Sequence, residues 1–352
     1  MRIGSPPGDC TSIIDPLESS EWDRIIGSRP EHSFFHSSNW AAVLKESYSY
    51  TPRYFALSGA SALSALIPVM EVASPFTGKR GVSLPFTDYC EPLVSDKTQF
   101  ARLLGEVLLF GSEAGWKYLE FRGGAKYFDG AVPYGTYLRH VLEINGRGPV
   151  LFHQIRASNR RNIRKATRSG VRVVISRSES DLADYYRLHC LTRKRHGLPP
   201  QPRSFFDAVY RNVISKGRGF TALGVWQGGA VSGAVYFYSG KKAIYKYGAS
   251  DMRYQHLRAA NLVMWEAIRW FCENGFEELC LGRTDRADAG LVRFKRGWGA
   301  REEVLDYFRY DLKNSIFVRD APKMNISVTP LLKHLPISIL RLAGTLLYRH
   351  MA

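Results

Sequence analysis

Apolar and polar residues follow the same order in the two halves of the chain. In the first half, apolar runs at 54–57 and 62–68 flank a short polar turn, and in the second half runs at 220–223 and 230–236 flank another. Two short apolar runs on either side of a tight polar turn predict a β-hairpin. Each half therefore contains a predicted hairpin.

Each hairpin is followed by a third strand-like run and then by a helix-period segment, at 100–110 in the first half and at 261–271 in the second. Gly115 and Gly275 come just after these helices, where a left-handed glycine often ends a helix, and a further strand follows each of them. Strand, strand, strand, helix, strand, given twice, predicts an α/β fold with mixed sheets. Coincidental similarity between two amphipathic stretches is the alternative.

The repeat predicts two domains joined near residue 150, with an N-terminal domain at 1–150, a C-terminal domain at 151–312 and a tail at 313–352. A chain of 352 residues that is 45% hydrophobic is long enough for two cores. Antiparallel hairpins followed by a β-α-β unit resemble the layout of the GNAT acyltransferase superfamily. Such a fold analogy gives only a starting expectation for the chemistry.

The charge balance indicates an anionic partner. Lysine and arginine exceed aspartate and glutamate by 49 to 32, a net charge of +17, which fits nucleic acid, phospholipid head groups or a phosphorylated substrate. The five cysteines are scattered without a C-x-x-C pair and no histidines have metal-ligand spacing, so we expect neither disulfides nor a metal site. The first residues lack the apolar core of a signal peptide, which predicts a cytoplasmic protein.

The clearest electrostatic signal is a predicted basic helix at 153–169, because no acidic residue occurs between 154 and 174. Like charges four residues apart destabilise an isolated helix, so an anionic partner would relieve a cost. The predicted partner is a tRNA backbone, lipid head groups or the diphosphate of a lipid-linked precursor, and a solvated charged face is the alternative. The anion-binding candidates are Arg156, Arg160, Arg161, Arg164, Lys165 and Arg168.

Four segments of the second half lie at 159–171, 243–250, 261–270 and 291–299, and the last contains the F-K-x-G-[WF]-G pattern. In this order they resemble the FemAB-like family of tandem-GNAT aminoacyl and acyl transferases, a group that includes BioF-like acetyltransferase domain proteins. Segments at 35–40 and 84–89 resemble weaker N-terminal signatures of the same family. The resemblance extends from about residue 30 to about residue 310.

The resemblance implies an acyltransferase that moves an aminoacyl or acyl group to an amine of a cell-envelope acceptor, either a peptidoglycan precursor or a polysaccharide. Lys295, the lysine of the motif, is implied to stabilise negative charge on the tetrahedral intermediate or on the leaving oxygen. Asp88 is implied to contact the acceptor amine or to accept its proton. An aspartate that only forms a turn is the alternative for Asp88.

Further residues are candidates for substrate binding. Arg283 and Asp285 follow a predicted strand at its carboxyl end, where α/β folds place ligands, although a surface ion pair between them is the alternative. Tyr245 and Tyr247 alternate at period two, which predicts one face for both. The resemblance places the family's cleft near that strand. The full set is Phe294, Arg283, Asp285, Tyr247, Lys246, Trp298, Trp40 and Arg258.

The donor is predicted from one loop. GNAT enzymes hold the CoA pyrophosphate on backbone N–H groups at a helix start with the pattern [QR]-x-x-G-x-[GA]. The segment at 255–260 reads Gln-His-Leu-Arg-Ala-Ala, so Arg258 replaces the glycine. This favours aminoacyl-tRNA as co-substrate over acyl-CoA, with acyl-CoA-dependent N-acetylation as the alternative and no tightly bound cofactor. A non-catalytic RNA- or membrane-binding adaptor is the second alternative.

The tail predicts an amphipathic helix at 337–352, with Tyr348 on its polar face. Pro336 and Arg341 argue against a membrane span, and basic residues suit anionic head groups, so we expect a protein that lies peripherally on the inner face of the cell membrane. The sequence leaves the oligomeric state open, and a monomer is the favoured expectation. A helix docked on the protein's own core is the alternative. The predicted apolar face consists of Ile339, Leu340, Leu342, Ala343, Leu346 and Leu347.

Overall fold

A computed structural model describes residues 10–59, 63–144, 148–319 and 330–351 of the chain. Its strands are β1 (Cys10–Ile14), β2 (Thr51–Ser58), β3 (Leu63–Ser74), β4 (Gly78–Val82), β5 (Tyr118–Arg122), β6 (Gly135–Glu143), β7 (Arg172–Ser176), β8 (Gly219–Trp226), β9 (Gly229–Ser239), β10 (Lys242–Ser250), β11 (Glu278–Asp285), β12 (Arg301–Asp311) and β13 (Ile316–Phe317). Its α-helices are α1 (Trp22–Gly27), α2 (Ser38–Tyr48), α3 (Lys97–Glu113), α4 (Gly148–Gln154), α5 (Ala157–Arg168), α6 (Glu179–Arg195), α7 (Arg203–Val209), α8 (Ala259–Glu273), α9 (Ala289–Arg296) and α10 (Ile337–Leu347).

The described residues form two units. The first contains the chain up to Thr136 and the segment from Leu305 onward to residue 319, and the second contains 137–304 and 330–351. The expected boundaries near residues 150 and 312 differ from this division, because β6 and β12 each have residues in both units. The chain therefore changes unit within these two strands.

The first unit is built on a mixed sheet in the order β1-β2-β3-β4-β5-β12. Neighbouring strands are antiparallel except β4 and β5, which run parallel. Helix α3 connects these parallel strands, and its apolar side, with Phe100, Leu103 and Val107, packs into the core that Ile67 and Phe121 of the sheet also form. A parallel pair needs such a crossover, which is why the helix follows β4.

The second unit repeats this plan in the order β6-β11-β10-β9-β8-β7, with β10 and β11 as its parallel pair. Helix α8 connects them and buries most of its length, including Trp265, Ile268 and Phe271, in the core of this unit. Helix α6 contacts β9 and β10 as well. The predicted repeat of three strands, a helix and a strand is therefore confirmed in both units.

The predicted helix ends are also confirmed. Gly115 follows α3 with φ of 73°, and Gly275 follows α8 with φ of 75°. This left-handed conformation costs glycine little, and it turns the chain from the helix into β5 or β11.

The predicted helix at 153–169 is two helices. Helix α4 ends at Gln154 and α5 begins at Ala157, because Arg156 is extended, with ψ of 142°. Its backbone N–H donates to Gly297 O at 2.9 Å, a residue distant in sequence. The run of basic residues alone gives no sign of this break.

The prediction that Tyr245 and Tyr247 share a face is wrong. The register of β10 against β9 shifts between them, so Lys246 is the extra residue of a β-bulge. As a result Tyr245 packs against Tyr236 at 5.5 Å, whereas Tyr247 packs against Phe206 at 5.8 Å in a different cluster.

Candidate functional site

The second unit contains a cleft of about 490 Å³. Strands β10 and β11 pair only at their first residues, Lys242–Ile244 with Glu278–Cys280. Further along β10, Tyr245 and the residues from Gly248 to Ser250 line the cleft. The starts of α5 and α8 and one side of α9 supply other walls. A cleft beyond the carboxyl ends of parallel strands is where α/β folds place ligands.

The described lining of this cleft is positively charged. Arg156, Arg195, Arg258 and Arg293 line it, whereas Asp251 is its one acidic residue. Arg253 pairs with Asp251 at 2.6 Å, and hydrogen bonds from Arg253 lower the pKa of that carboxyl. The excess of cationic side chains makes the cleft suitable for an anionic ligand.

Arg258 has the backbone conformation that the replaced glycine would favour. Its φ is 60° and its ψ is 26°, in the left-handed region that is unusual for residues other than glycine. Arg258 thereby stands at the N-terminus of α8, and the N–H groups of Ala259 and Ala260 that follow have no backbone acceptor in the described part of the chain. The arginine therefore keeps the helix-start geometry that the sequence pattern suggested was compromised.

Lys295 of the predicted catalytic motif is buried, with 3% of its surface exposed. Its Nζ donates to Gly282 O at 3.0 Å and to Arg283 O at 3.1 Å, where the register of β11 against β6 shifts and Gly282 has φ of 75°. Phe294, the preceding residue, lines the cleft, but Lys295 does not. The structure thus places Lys295 behind the cleft wall, on the end of β11.

A buried histidine lies in the same region as Lys295. The Nε2 atom of His140, on β6, is 2.9 Å from Glu302, and Arg296 also pairs with Glu302 at 2.6 Å. Burial, and after it the positive charge of Lys295, lowers the pKa of His140. His140 is therefore neutral near pH 7, and sequence reasoning gave no sign of it.

The other substrate-binding candidates of the second unit are not among the described residues that line the cleft. Trp298 is fully buried in the core, and its ring packs edge-on against Phe294 at 5.9 Å. Tyr247 and Lys246 are not among the cleft-lining residues, and the Lys246 ammonium lies 5.1 Å from the Tyr247 ring. The bulge at Lys246 explains why the tyrosine turns away from the cleft.

Arg283 and Asp285 have different surroundings, although both are exposed. The Arg283 guanidinium lies 4.2 Å from the ring centre of Tyr137, whereas Asp285 accepts a hydrogen bond from the Ala287 N–H at 3.0 Å. Asp285 thus forms a turn between β11 and α9.

In the first unit, Asp88 lies half-buried in a loop of unusual backbone conformation. Leu84 and Phe86 have φ of 56° and 57°, which bulky side chains rarely adopt. Strained residues persist only where the surrounding structure holds them, and they cluster at functional sites. Trp40, the other candidate in this unit, is fully buried beside Phe35 at 5.4 Å and belongs to the core.

Side chains distant in sequence hold the Asp88 loop. The Tyr307 hydroxyl donates to Asp88 O at 2.5 Å, and Arg122 donates to Thr87 O at 3.3 Å. Glu120 pairs with Arg122 at 3.0 Å and with Arg309 at 2.7 Å. Burial alone would raise the pKa of Glu120, but the two arginines outweigh it and lower the pKa to about 2. These residues lie on β5 and β12, which are far apart in the sequence, so no local motif reveals them.

The basic helix α5 buries Asn159, Ile163 and Ala166 and exposes most of its charges. Arg160 donates to His153 O, and the Arg164 guanidinium lies 6.0 Å from the Phe152 ring centre. The remaining basic residues have no carboxylate partner in the described part of the chain. They are Arg156, Arg161, Lys165 and Arg168.

Helix α10 docks on the second unit with a different face from the predicted one. Leu340, Gly344 and Tyr348 are buried, and the Tyr348 hydroxyl donates to Pro199 O at 3.2 Å and accepts from Arg193 at 2.8 Å. A Cβ on Gly344 would lie 2.0 Å from Pro200 O, so only glycine permits this approach. Tyr348 was predicted on the polar face of the helix, but its ring is buried and its hydroxyl is hydrogen-bonded within the docked face.

Outside its docked residues, α10 exposes large apolar side chains to solvent, and we call this set the α10 ridge. It consists of Ile339, Leu342, Leu346 and Leu347, each between 44% and 61% exposed. Across residues 10–59, 63–144, 148–319 and 330–351, no helix combines the length and apolarity needed to cross a membrane. The same residues contain no cluster of three or more His, Cys, Asp or Glu side chains that could hold a metal ion.

Comparison with known proteins identifies the second unit. Residues 153–296 match the family model of the acetyltransferase (GNAT) domain, while no curated protein matches the sequence. The expectation of an acyltransferase is thereby confirmed, since the chain carries a GNAT acyltransferase domain.

Solved structures share the fold of the chain. FemX is 15% identical with a TM-score of 0.67, and the match covers 84% of this chain and 96% of that chain. The C-terminal domain of a putative lysylphosphatidylglycerol synthetase from Agrobacterium fabrum is 12% identical with a TM-score of 0.55, covering 87% and 92%. A tandem GNAT protein from the clavulanic acid biosynthesis pathway is 7% identical with a TM-score of 0.55, covering 86% and 98%. The predicted fold class, tandem GNAT-like α/β, is confirmed.

Proposed function

For a chain that carries a GNAT acyltransferase domain, we propose that the second unit transfers an aminoacyl or acyl group from a phosphate-bearing donor to an amine of a cell-envelope acceptor. The observation that carries the proposal is the cleft beside the later part of β10, with its arginines and the N-terminus of α8. In the reaction the acceptor nitrogen attacks the carbonyl carbon, the bond from carbon to the leaving oxygen or sulfur breaks, and the nitrogen loses a proton.

The donor is proposed to be aminoacyl-tRNA, with acyl-CoA as a second candidate. The cationic cleft and the exposed basic residues of α5 support a long polyanion such as tRNA. The left-handed backbone of Arg258 supports acyl-CoA, because it preserves the free N–H groups at the start of α8 that a diphosphate binds.

Lys295 keeps a place in this proposal as a positive charge on the end of β11. Its two hydrogen bonds fix the carbonyls of Gly282 and Arg283. The preceding residue of α9, Phe294, lines the cleft. A fixed cation behind the wall of a cleft stabilises negative charge that develops on the reacting carbonyl oxygen, because a low-dielectric surrounding screens it weakly.

The acceptor side of the proposal concerns the first unit. Asp88 lies in a loop that Tyr307 and Arg122 hold in a strained conformation, and such rigidity suits a residue that must orient an amine and take its proton. The cell-envelope acceptor is proposed because a lysylphosphatidylglycerol synthetase domain and FemX share this fold.

We also propose that the α10 ridge lies on the surface of the cell membrane. The ridge presents four large apolar residues while the other face of the helix is docked, and exposed Lys333, Arg341 and Arg349 surround it. Each basic residue near an anionic surface contributes about 1 kcal/mol. Such attachment would keep the enzyme where a lipid-linked acceptor is found.

The test is a transfer assay with two classes of labelled donor. Purified protein is incubated with radiolabelled aminoacyl-tRNA or acyl-CoA and a membrane extract, and the product is treated with mild alkali. Amides survive this treatment, whereas esters and thioesters are cleaved. Alkali-stable label that depends on the protein is the expected result, and its absence with both classes of donor would overturn the proposal.

A further inference from the structure

Helices α5 and α8 begin side by side at the cleft. Asn159, in the first turn of α5, accepts a hydrogen bond from the side chain of Asn261, in the first turn of α8, at 3.4 Å. Residues from the start of both helices line the cleft, including Arg156 and Ser158 from α5 and Ala260 from α8. Two helix N-termini therefore face one cavity.

The first N–H groups of both helices are available to a ligand. The backbone N–H groups of Ala157, Ser158, Ala259 and Ala260 have no backbone acceptor among the described residues. Each helix start also carries the positive end of its dipole, and two such ends side by side repel each other. An anion placed between them would bind both and relieve the repulsion.

Asn159 adds an independent sign of a ligand. Only 7% of its surface is exposed, it lines the cleft, and its Nδ2 has no hydrogen-bond partner in the described part of the chain. A buried amide N–H₂ without an acceptor is costly and rare in folded proteins. Gly297 makes room for this group, since a Cβ there would lie 2.8 Å from Nδ2.

The charges around Asn159 favour a phosphate. Arg156 precedes α5 and Arg293 lies on α9, and both line the cleft without a carboxylate partner among the described residues. A phosphate oxygen accepts hydrogen bonds from backbone N–H groups, from an amide and from guanidinium groups together. A neutral or cationic ligand would leave this set of donors unmatched.

We propose that the start of α5, with Asn159, is a second phosphate-binding site in the cleft, next to the start of α8. The two helix starts then bind two phosphate groups of one donor, either a diphosphate or consecutive phosphodiesters. This inference rests on the proposed function and specifies how the donor is held. It also gives the basic helix a role at its N-terminus, in addition to its exposed charges.

The test is calorimetric binding of coenzyme A and of uncharged tRNA to the full-length protein and its variants. Asn159→Asp keeps the oxygen that Asn261 bonds and replaces the Nδ2 donor by a carboxylate oxygen. Ser158→Glu adds a carboxylate at an exposed position of the first turn, where it favours the helix. Gln227→Glu makes the same amide-to-carboxylate change as a control, in an exposed turn outside the cleft.

We expect both cleft variants to weaken binding by at least about 10-fold and the control to bind like the wild type. The probe that shows this pattern, coenzyme A or tRNA, identifies the source of the phosphates. Should Asn159→Asp not fold, Ser158→Glu decides alone. Wild-type affinity in the folded cleft variants, equal losses in the control, or no binding of either probe would overturn the site. Binding with this pattern but without acyl transfer would retain the site and reject the proposed function.

Discussion

Lys295 combines a predicted catalytic role with a buried position. We expect Lys295→Ala to lower the rate of transfer by about 100- to 1,000-fold, because a fixed positive charge near the reacting carbonyl is lost. The Lys295 ammonium donates hydrogen bonds to two backbone carbonyl groups, so its removal should also lower the free energy of unfolding by about 1–3 kcal/mol. Transfer kinetics and urea unfolding measure the two effects. Arg301→Ala, an exposed change, is the control, and wild-type turnover by folded Lys295→Ala protein would reject the catalytic role.

His189 makes the stability of the second unit depend on pH. Burial, and after it the charge of Arg193, lowers the pKa of His189 to about 3, whereas its unfolded value is near 6.5. Between these values only the unfolded chain binds the proton, so stability is lost as the pH falls below about 6.5.

We expect His189→Phe, which suits the ring cluster of Tyr185 and Phe206, to remove this dependence. Between pH 6 and pH 4, the unfolding free energy of the wild type should fall relative to the variant by about 1.4 kcal/mol per pH unit. Urea unfolding at several pH values measures the difference. Parallel pH profiles for the two proteins would contradict the assignment.

The Asp88 loop is an element that residues distant in sequence hold in position. Tyr307→Phe removes the hydroxyl that donates to Asp88 O but keeps the ring. We expect Tyr307→Phe and Asp88→Asn each to slow transfer, and we expect the double variant to be no slower than Asp88→Asn alone, because Tyr307 acts through the position of Asp88. Independent effects that multiply in the double variant would show that Tyr307 has only a structural role.

The α10 ridge is tested with changes that leave the docked face intact. We expect Leu342→Glu with Leu346→Glu to abolish co-sedimentation with phosphatidylglycerol vesicles, because carboxylates replace exposed apolar side chains and meet an anionic surface. Thr345→Glu, on the same helix, should retain most of the binding. A chain that ends at Lys323 lacks the helix and serves as the unbound reference. Equal sedimentation of the ridge variant and the wild type would exclude the ridge as the membrane contact.

The elements that sequence predicts well are those with local causes. Hairpins, the crossover helices and the turns at Gly115 and Gly275 follow from periodicity and from residues a few positions apart. The break before α5 depends on a hydrogen bond between Arg156 and Gly297, and the bulge at Lys246 depends on the pairing of two strands. Contacts of this kind leave no periodic signal in the chain.

The same distinction applies to the candidate site. A sequence motif indicated Phe294 and Lys295, and the absence of a glycine indicated Arg258. Of these three residues, Phe294 and Arg258 line the cleft. The sequence placed Asn159 in a family-like segment but assigned it no function. Its burial and its unpaired Nδ2 become visible only when α5 packs beside α8. The ion pairs of Glu120 with Arg122 and Arg309 join one buried and two half-buried charges on two strands, which composition cannot indicate.

Part of the protein's net charge of +17 can be located in the structure. Many surface cations pair with carboxylates, such as Lys241 with Glu277 and Arg203 with Asp207. The arginines of the cleft and the outer face of α5 are among those with no such partner in the described residues. Part of the excess charge therefore lies where the proposed donor binds.

We propose that the cleft holds an anionic acyl donor, and a variant at the start of α8 tests this claim. Ala260→Glu places a carboxylate in the first turn of α8, where it stabilises the helix by about 0.3–1 kcal/mol and repels a phosphate. The measurement is the rate of formation of alkali-stable label at a fixed, low donor concentration, together with the melting temperature. We predict that the variant keeps or raises its melting temperature and loses at least about 10-fold in rate. A folded variant that transfers label at the wild-type rate would contradict the claim.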